Sequence, residues 1–223
     1  MLLEINKINK SFYDNEKKIQ ILNDLSFSID KKEIISICGS SGSGKSTLMN
    51  IISGLLTFDS GEIIFNGNIF NKNFDFSKYR NSSLGIVFQD HYLISELSVI
   101  ENIMLPQIIS GINSKEAKIN ASSLLKDFNL LVIKDSYPKN MSGGEKQRVA
   151  ILRAIINKPK LILADEPTGS IDEFNKDKIL CLFKDIVLNY DTSILMVTHD
   201  NKVSQISNKV LKLVKGKIIS DYE

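Results

Sequence analysis

The sequence predicts an α/β fold in which helices cover a parallel sheet. Three apolar runs of four or five residues carry this prediction, at residues 34–38, 161–164 and 194–197. None of the runs alternates, and a polar stretch follows each, which is typical of strands covered on both faces of a parallel sheet. Helical patterns at residues 145–156 and 176–188 lie between them. Alternating strands and helices favour right-handed crossovers within one sheet.

A smaller antiparallel sheet is predicted beside the parallel one. Residues 2–8 and 19–29 are alternating or rich in β-forming side chains, and residues 62–65 precede the turn dipeptide Asn66-Gly67. Short β-rich runs joined by such a dipeptide indicate hairpins. We therefore expect these segments to pair with one another and not with the apolar runs.

Helices dominate the middle of the chain. The strand pattern disappears over residues 95–140, and a clear helical period occupies residues 114–127, which indicates a helical insertion. The tail, residues 209–220, predicts two short strands joined by Lys215-Gly216.

The composition excludes several classes of protein. Of 223 residues, 43% are hydrophobic and 24% are charged, which excludes disordered and collagen-like chains. A net charge of +2 is too small to indicate a nucleic-acid partner. Cys38 and Cys181 are too far apart for a zinc motif. Both lie among apolar residues, so we expect core side chains in a reducing compartment.

No stretch of the sequence approaches the roughly 20 apolar residues that a membrane-spanning helix needs. The first ten residues carry Glu4 and lack an apolar core, so they do not resemble a signal peptide. We expect a cytoplasmic protein that contacts a membrane only through a partner.

The strongest motif is a phosphate-binding loop, and it predicts a P-loop NTPase core. It consists of Gly39, Ser40, Ser41, Gly42, Ser43, Gly44, Lys45, Ser46 and Thr47. An apolar strand precedes it and a predicted helix at residues 47–53 follows, a context that a chance Gly/Ser turn would lack. The glycines let backbone amides face an anion, Lys45 supplies a cation for the β and γ phosphates, and the Ser46 hydroxyl can bind magnesium. A dinucleotide fingerprint is excluded because no third glycine follows at the offset that it requires.

Two carboxylates follow the second apolar run. Asp165 and Glu166 stand at the carboxyl end of a predicted buried strand, where ligands of open α/β sheets bind. Asp165 is placed to hold magnesium, directly or through water. Glu166 is placed to orient and polarise an attacking water as general base. Such a pair alone is as often a helix cap or a turn, but beside a phosphate loop it indicates a catalytic site.

The stretch that includes Ser142, Gly143, Gly144 and Glu145 predicts a second anion site. Ser142 and Glu145 match a capping box, which by itself explains why a helix begins there. It does not explain the two glycines, which are poor helix formers but let backbone amides approach an anion. Two predicted phosphate sites and one nucleotide loop are reconciled if the second site serves a nucleotide bound by another copy of the protein.

Together these motifs resemble the ATP-binding subunits of ABC transporters. The resemblance spans about residues 3–217 and is carried by the phosphate loop, Gln89, the Ser-Gly-Gly-Glu stretch, the carboxylate pair and His199, in that order. It implies an ATP hydrolase that uses Mg²⁺ and powers an integral membrane permease at the inner face of the cell membrane. It also implies a homodimer that closes head to tail, so that each ATP lies between the phosphate loop of one subunit and the signature of the other. The signature here is Ser142, Gly143, Gly144 and Glu145.

The resemblance implies further roles, residue by residue. Gln89 is similar to the loop glutamine that senses magnesium and the membrane partner, and His199 to the switch histidine that contacts the γ-phosphate. Asp172 resembles the aspartate that links the two sites across the dimer. Phe12, or alternatively Tyr13, resembles the aromatic residue that stacks on adenine. The other interpretation of Phe12 is a core aromatic.

The resemblance also implies how the chain is organised. We expect one nucleotide-binding domain over residues 1–223, with the core and antiparallel subdomain at 1–94 and 158–223 and a helical subdomain at about 95–157. Residues 101–106 and 164–169 are similar to the group that serves lipoprotein release and macrolide or antimicrobial-peptide export, although residues 93–98 depart from its pattern. The alternative is a cell-division ATPase that regulates cell-wall hydrolases through a membrane partner.

Overall fold

Two sheets and a set of helices make up the structure, a computed structural model that describes residues 1–15, 17–169 and 171–219. The side chains of Phe174 and Asn201 are not described. The strands are β1 (Leu3–Asp14), β2 (Lys17–Ile29), β3 (Ile34–Cys38), β4 (Ser60–Phe65), β5 (Asn68–Ile69), β6 (Leu84–Val87), β7 (Leu161–Asp165), β8 (Ser193–Thr198), β9 (Lys209–Val214) and β10 (Lys217–Ile219). The helices are α1 (Lys45–Ile52), α2 (Phe76–Ser82), α3 (Val99–Ile109), α4 (Ser114–Asp127), α5 (Gly143–Ile155), α6 (Glu173–Asn189) and α7 (Asn201–Ser204).

The larger sheet contains the predicted parallel strands. Its order among the described residues is β10-β9-β3-β8-β7-β6, and each neighbouring pair is parallel except β10 and β9. The three apolar runs form β3, β7 and β8, as predicted. Successive side chains of one strand enter different hydrophobic cores. Ile162 packs in the core with α3, α5 and α6, and Leu163 in the core with α1 and the smaller sheet. Burial on both faces explains why these runs do not alternate.

The smaller sheet is antiparallel, with the order β2-β1-β4-β5. Asn66 and Gly67 have φ values of +48° and +79°, the left-handed pair that a tight hairpin turn requires, so the predicted turn is confirmed. β1 extends beyond its predicted end, to Asp14, and β2 begins earlier, at Lys17, so that the two strands form a ribbon whose residues 12–15 and 17–20 are exposed. Most of the added residues are polar, so no apolar alternation marks them in the sequence.

The predicted helical region lies between β6 and β7 and contains α3, α4 and α5. α4 has the predicted bounds, whereas α1 and α6 begin earlier than predicted, at Lys45 and Glu173. The added residues of α1, Lys45 and Ser46, are polar, so they do not extend its apolar period. The tail strands are confirmed as far as Ile219, and Ser220 lies outside the described residues. Over the described ranges, no helix is long and apolar enough to cross a bilayer.

The prediction that both cysteines are core side chains is wrong. Cys181 is exposed and Cys38 is half-buried, with its Sγ 3.5 Å from the Oγ of Ser204. In α6 the inward face is formed by Ile179, Leu180, Leu182 and Phe183. The helical period turns Cys181 away from that face although its neighbours in sequence are apolar.

Phe183→Ala is expected to lower the free energy of unfolding by about 3–5 kcal/mol, the usual cost of emptying a fully buried aromatic site. Phe183 is fully buried where α6 packs on the parallel sheet. Urea denaturation followed by circular dichroism measures the change. The control is Leu188→Ala on the same helix, where the leucine is exposed and the expected change is below about 0.5 kcal/mol. Equal midpoints for the two variants would contradict this packing of α6.

Candidate functional site

A cavity of about 650 Å³ lies beside the carboxyl ends of β3, β7 and β8. Ligands of open parallel sheets bind at this edge. Its lining residues are Ile21, Gly39, Ser40, Ser41, Gly42, Gly44, Lys45, Ser46, Thr47, Gln89, Asp165, Glu166 and His199. The structure therefore brings the predicted phosphate loop, carboxylates, glutamine and histidine to one place. Ser43 is buried beneath the loop instead, and its Oγ has no hydrogen-bond partner among the described residues.

The phosphate loop is tightly packed against its surroundings. A Cβ on Gly39 would lie 2.5 Å from the carbonyl oxygen of Leu213, and Gly44 has a φ of +106°. Both positions therefore need glycine. Lys45 begins α1, and its Nζ donates to the carbonyl oxygens of Gly39 at 2.7 Å and Ser40 at 3.1 Å. The loop thus holds an ammonium group next to a helix amino terminus, an arrangement that attracts anions.

Glu166 is fixed by the end of the neighbouring strand. Its Oε2 accepts a hydrogen bond from Thr198 Oγ1 at 3.1 Å, and its Oε1 lies 2.7 Å from His199 Nδ1. The side chain of Glu166 is 13% exposed, whereas that of His199 is 74% exposed. Glu166 also has a φ of +44°, a left-handed value that is uncommon for a non-glycine residue and is concentrated at functional sites. The carboxylate is thereby held at the cavity wall with limited freedom.

Asp165 is the last residue of β7 and lies beside Glu166. Burial and the neighbouring Glu166 carboxylate raise the pKa of Asp165, and the Lys45 ammonium opposes that rise. Two carboxylates this close repel each other and favour a bound cation between them and an anionic ligand.

Gln89 follows β6, and its Nε2 lies 3.4 Å from the position a Cβ would take on Gly169. Two positions further along the chain, His91 and Tyr92 have φ values of +61° and +45°. Their carbonyl oxygens accept hydrogen bonds from the guanidinium of Arg153, at 2.6 Å and 2.5 Å. Arg153 is on α5, so this helix holds the segment after Gln89 in place.

The predicted signature residues lie outside the cavity. Ser142 precedes α5 and forms the predicted capping box, donating its backbone N–H to Glu145 Oε2 at 2.9 Å and accepting from the Glu145 backbone at 3.3 Å. Ser142 and Gly143 are exposed, whereas Gly144 is buried. Asp172 caps the start of α6 and also lies outside the cavity lining. The chain thus presents an exposed helix amino terminus away from its own phosphate loop.

Phe12 is not a core aromatic. It is 42% exposed on β1, with Lys10 Nζ 5.4 Å from its ring centre, and Tyr13 is 73% exposed. Neither residue lines the cavity. The choice between the two as the ring that stacks on adenine stays a prediction.

Several residues of the site were not predicted. Ile21 lies over the phosphate loop, with its carbonyl oxygen 3.1 Å from the Cβ position of Gly44. Thr198 holds Glu166, and Gln147 Nε2 donates to the carbonyl oxygen of Pro167 at 2.8 Å. A hydroxyl at the end of an apolar run is a usable signal for Thr198. The other two contacts have no local signal, because they join segments distant in sequence.

The chain is similar to known proteins over nearly its whole length. The family model described as ABC transporter matches residues 22–169. The lipoprotein-releasing system ATP-binding protein LolD of Treponema denticola is 43% identical over 96% of each chain. The putative hemin import ATP-binding protein HrtA of Staphylococcus haemolyticus is 40% identical over 98% of this chain and 99% of its own. A dimeric post-hydrolysis structure of the ATP-binding cassette MJ0796 with ADP and Pi has a TM-score of 0.89 at 32% identity, covering 100% of this chain and 98% of that one.

Proposed function

Because the chain belongs to the ABC transporter family as an ATP-binding and ATP-hydrolysing subunit, we propose that it powers the release of lipoproteins by a membrane permease. The relative named for lipoprotein release is 43% identical to it. The relative named for hemin import is 40% identical, which makes heme the competing cargo. Neither of these two relatives is named for cell division.

The position of Glu166 carries the proposed mechanism. Its carboxylate is held by Thr198 and His199 at the wall of the cavity that the phosphate loop lines. In our proposal Glu166 accepts a proton from the attacking water, while the water oxygen bonds to the γ-phosphorus and the bond to the ADP oxygen breaks. The products are ADP and inorganic phosphate. While the bond to ADP breaks, His199 would donate a hydrogen bond to the γ-phosphate, which its exposure permits.

Mg²⁺ fits the oxygen groups around the loop. Over the described residues, no three His, Cys, Asp or Glu side chains converge on a metal position. The cavity instead brings together the Ser46 hydroxyl, the Gln89 amide and the Asp165 carboxylate. Mg²⁺ is suited to a site with few protein ligands, because it retains waters and phosphate oxygens as its other ligands. When bound, it would neutralise charge on the β and γ phosphates.

The proposed contacts to the rest of ATP involve the phosphate loop and an aromatic residue of β1. Lys45 and the amides of residues 39–47 surround the phosphates, and Phe12 or Tyr13 supplies the ring for adenine. Exposure of both rings supports this role, because a stacking residue must be accessible.

A homodimer completes the proposed site. The exposed amino terminus of α5, with Ser142 and Gly143, would contact the ATP held by the other subunit, and Asp172 would link the two sites. The dimeric state of the cassette MJ0796 supports this arrangement. Gln89, which is exposed and precedes the segment that Arg153 holds, would sense both the metal and the permease.

We further propose that residues 95–157 form the helical subdomain of one nucleotide-binding domain, and that the chain sits at the inner face of the cell membrane on its permease. The packing of α3 against both α4 and α5 supports this grouping of the helices.

A transport assay tests the cargo. The affinity-tagged chain is purified from native membranes with its permease, and the complex is reconstituted into liposomes that contain a labelled lipoprotein. We expect ATP-dependent release of the lipoprotein, and no release with Glu166→Gln. Liposomes loaded with heme provide the comparison. ATP-dependent movement of heme without lipoprotein release would contradict the proposal.

Lys45→Ala is expected to weaken ATP binding about tenfold or more, because charge-assisted contacts contribute roughly 1.5–3 kcal/mol each. The thermal midpoint without nucleotide should barely change, since among the described residues Lys45 bonds only to loop carbonyls and lies outside both cores. Isothermal calorimetry measures the affinity, with the exposed Lys72→Ala as control. A variant that unfolds without nucleotide yet retains ATP affinity would contradict the assignment of Lys45.

A further inference from the structure

The first turn of α6 contacts two parts of the molecule that the proposed function assigns to different ATP molecules. One is the amino terminus of α5, which carries the signature for the partner's ATP. The other is the switch segment, residues 198–200, which serves the chain's own ATP. Asn175 faces the first and Lys176 faces the second, and we call this pair the α6 joint.

Asn175 lies between the signature and Asp172. Its side-chain amide donates to Asp172 Oδ2 at 2.7 Å, and its backbone N–H donates to Asp172 Oδ1 at 3.0 Å. The same side chain is packed against Gly144, where an added Cβ would lie 2.9 Å from Asn175 Cγ. One side chain therefore fixes the orientation of the Asp172 carboxylate and the distance of the α5 amino terminus from α6.

Lys176 connects the same turn to the switch segment. Its Nζ lies 3.0 Å from Asp200 Oδ2 and 3.2 Å from Glu173 Oε1. Hydrogen bonds to Asp200 and Glu173 raise the pKa of Lys176, so the ammonium keeps its charge. Lys176 and Asp200 are only 19% and 17% exposed, which reduces solvent screening of the pair.

The contact with Lys176 continues to Glu166. The backbone N–H of Asp200 donates to Thr198 Oγ1 at 2.9 Å, and Thr198 Oγ1 donates to Glu166 Oε2. Thr168 Oγ1 also lies 3.4 Å from Asp200 Oδ2. A displacement of Asp200 therefore changes the surroundings of the carboxylate that we assign as general base.

We propose that Asn175 and Lys176 are positioning residues that couple the switch segment of one ATP site to the signature of the other. Neither side chain lines the cavity, so each acts through a neighbour and not on ATP. This inference rests on the proposed roles of Glu166, His199 and Ser142. Its consequence is that the two sites of a dimer do not hydrolyse ATP independently.

The test uses matched substitutions in the full chain. Asn175→Ala removes the side-chain amide that contacts Asp172 and Gly144, whereas Asn175→Asp keeps the volume of the side chain and replaces the amide donor with a carboxylate that Asp172 repels. An acidic residue in a first helical turn is favourable, so Asn175→Asp should fold. Lys176→Met removes the ammonium and Lys176→Arg retains a positive charge for Asp200. Lys184→Met, at an exposed position of the same helix, is the control.

We expect each Asn175 variant and Lys176→Met to lower kcat about tenfold, the effect of losing a hydrogen bond to a charged group. The affinity of the single chain for ATP should stay unchanged, and circular dichroism should show that each variant is folded at the assay temperature. Lys176→Arg should keep kcat near the wild-type value, and Lys184→Met should have the kcat of the wild type. In a Glu166→Gln background, Asn175→Ala should also weaken ATP-driven dimerisation, measured by sedimentation.

The double variant Asn175→Ala with Lys176→Met distinguishes coupling from two separate defects. If the two residues act in one linkage, the double variant should lose about tenfold in kcat, as each single variant does, because the linkage is already broken. A loss near a hundredfold, or wild-type kcat in the single variants, would overturn the α6 joint. A wild-type chain whose ATPase does not depend on Glu166 would instead contradict the proposed function.

Discussion

Glu166→Gln is expected to lower the ATPase rate by roughly 10²-fold or more while ATP binding stays intact, the usual effect of losing a general base. The amide oxygen can still accept the hydrogen bond of Thr198 Oγ1, so the local structure should persist. An amide cannot accept the proton of the attacking water at neutral pH. Steady-state phosphate release measures the rate, and equilibrium titration with a fluorescent ATP analogue measures binding.

The same variant should accumulate as an ATP-bound dimer, because closure no longer ends in hydrolysis. Size-exclusion chromatography with and without ATP detects the dimer. Glu96→Gln is the matched control, since Glu96 is exposed and lies outside the cavity lining. Hydrolysis by Glu166→Gln at a rate near that of the wild type would contradict the assignment of the base.

Ser142→Arg is expected to abolish hydrolysis while each chain still binds one ATP. Ser142 is exposed at the start of α5 and outside the cavity of its own chain. An arginine there leaves the phosphate loop intact but places bulk where the partner's γ-phosphate would approach. Binding stoichiometry by calorimetry and phosphate release on the same sample measure both properties.

Mixing Ser142→Arg with Lys45→Ala tests whether the two motifs act in trans. In a heterodimer both lesions fall on one composite site, and the other site keeps an intact loop and an intact signature. Random mixing of equal amounts makes half of the dimers heterodimers with one intact site, so we expect partial recovery of at most about a quarter of the wild-type rate, and the proposed coupling between the sites should lower it further. Hydrolysis at the wild-type rate by a Ser142→Arg chain that sediments as a monomer would exclude the shared site.

The parts of the molecule that could be predicted are those whose physical cause is local. The phosphate loop needs closely spaced glycines and a lysine, and strands buried on both faces need apolar runs, so both can be predicted without a structure. The capping box at Ser142 and Glu145 is equally local, and the structure contains it.

The parts that escaped prediction depend on contacts between distant segments. Arg153 bonds to the carbonyl oxygen of His91 across 62 positions, and Thr198 bonds to Glu166 across 32. The spacing of residue types along the sequence does not predict hydrogen bonds over such separations. The prediction that Cys181 is buried was wrong for a related reason, since apolar neighbours in sequence do not fix which side of a helix a residue faces.

The alternation of β7 and β8 between two hydrophobic cores has a consequence for unfolding. Ile162 and Met196 belong to one core, and Leu163 and Leu195 belong to the other. If either core melted alone, the strands that both cores share would lose the packing on one of their two faces. The helical and antiparallel parts should therefore unfold in a single cooperative transition, although each has its own layer of helices or strands. The amides of β7 and β8 should exchange with deuterium only through that global opening, more slowly than those of the exposed β1–β2 ribbon.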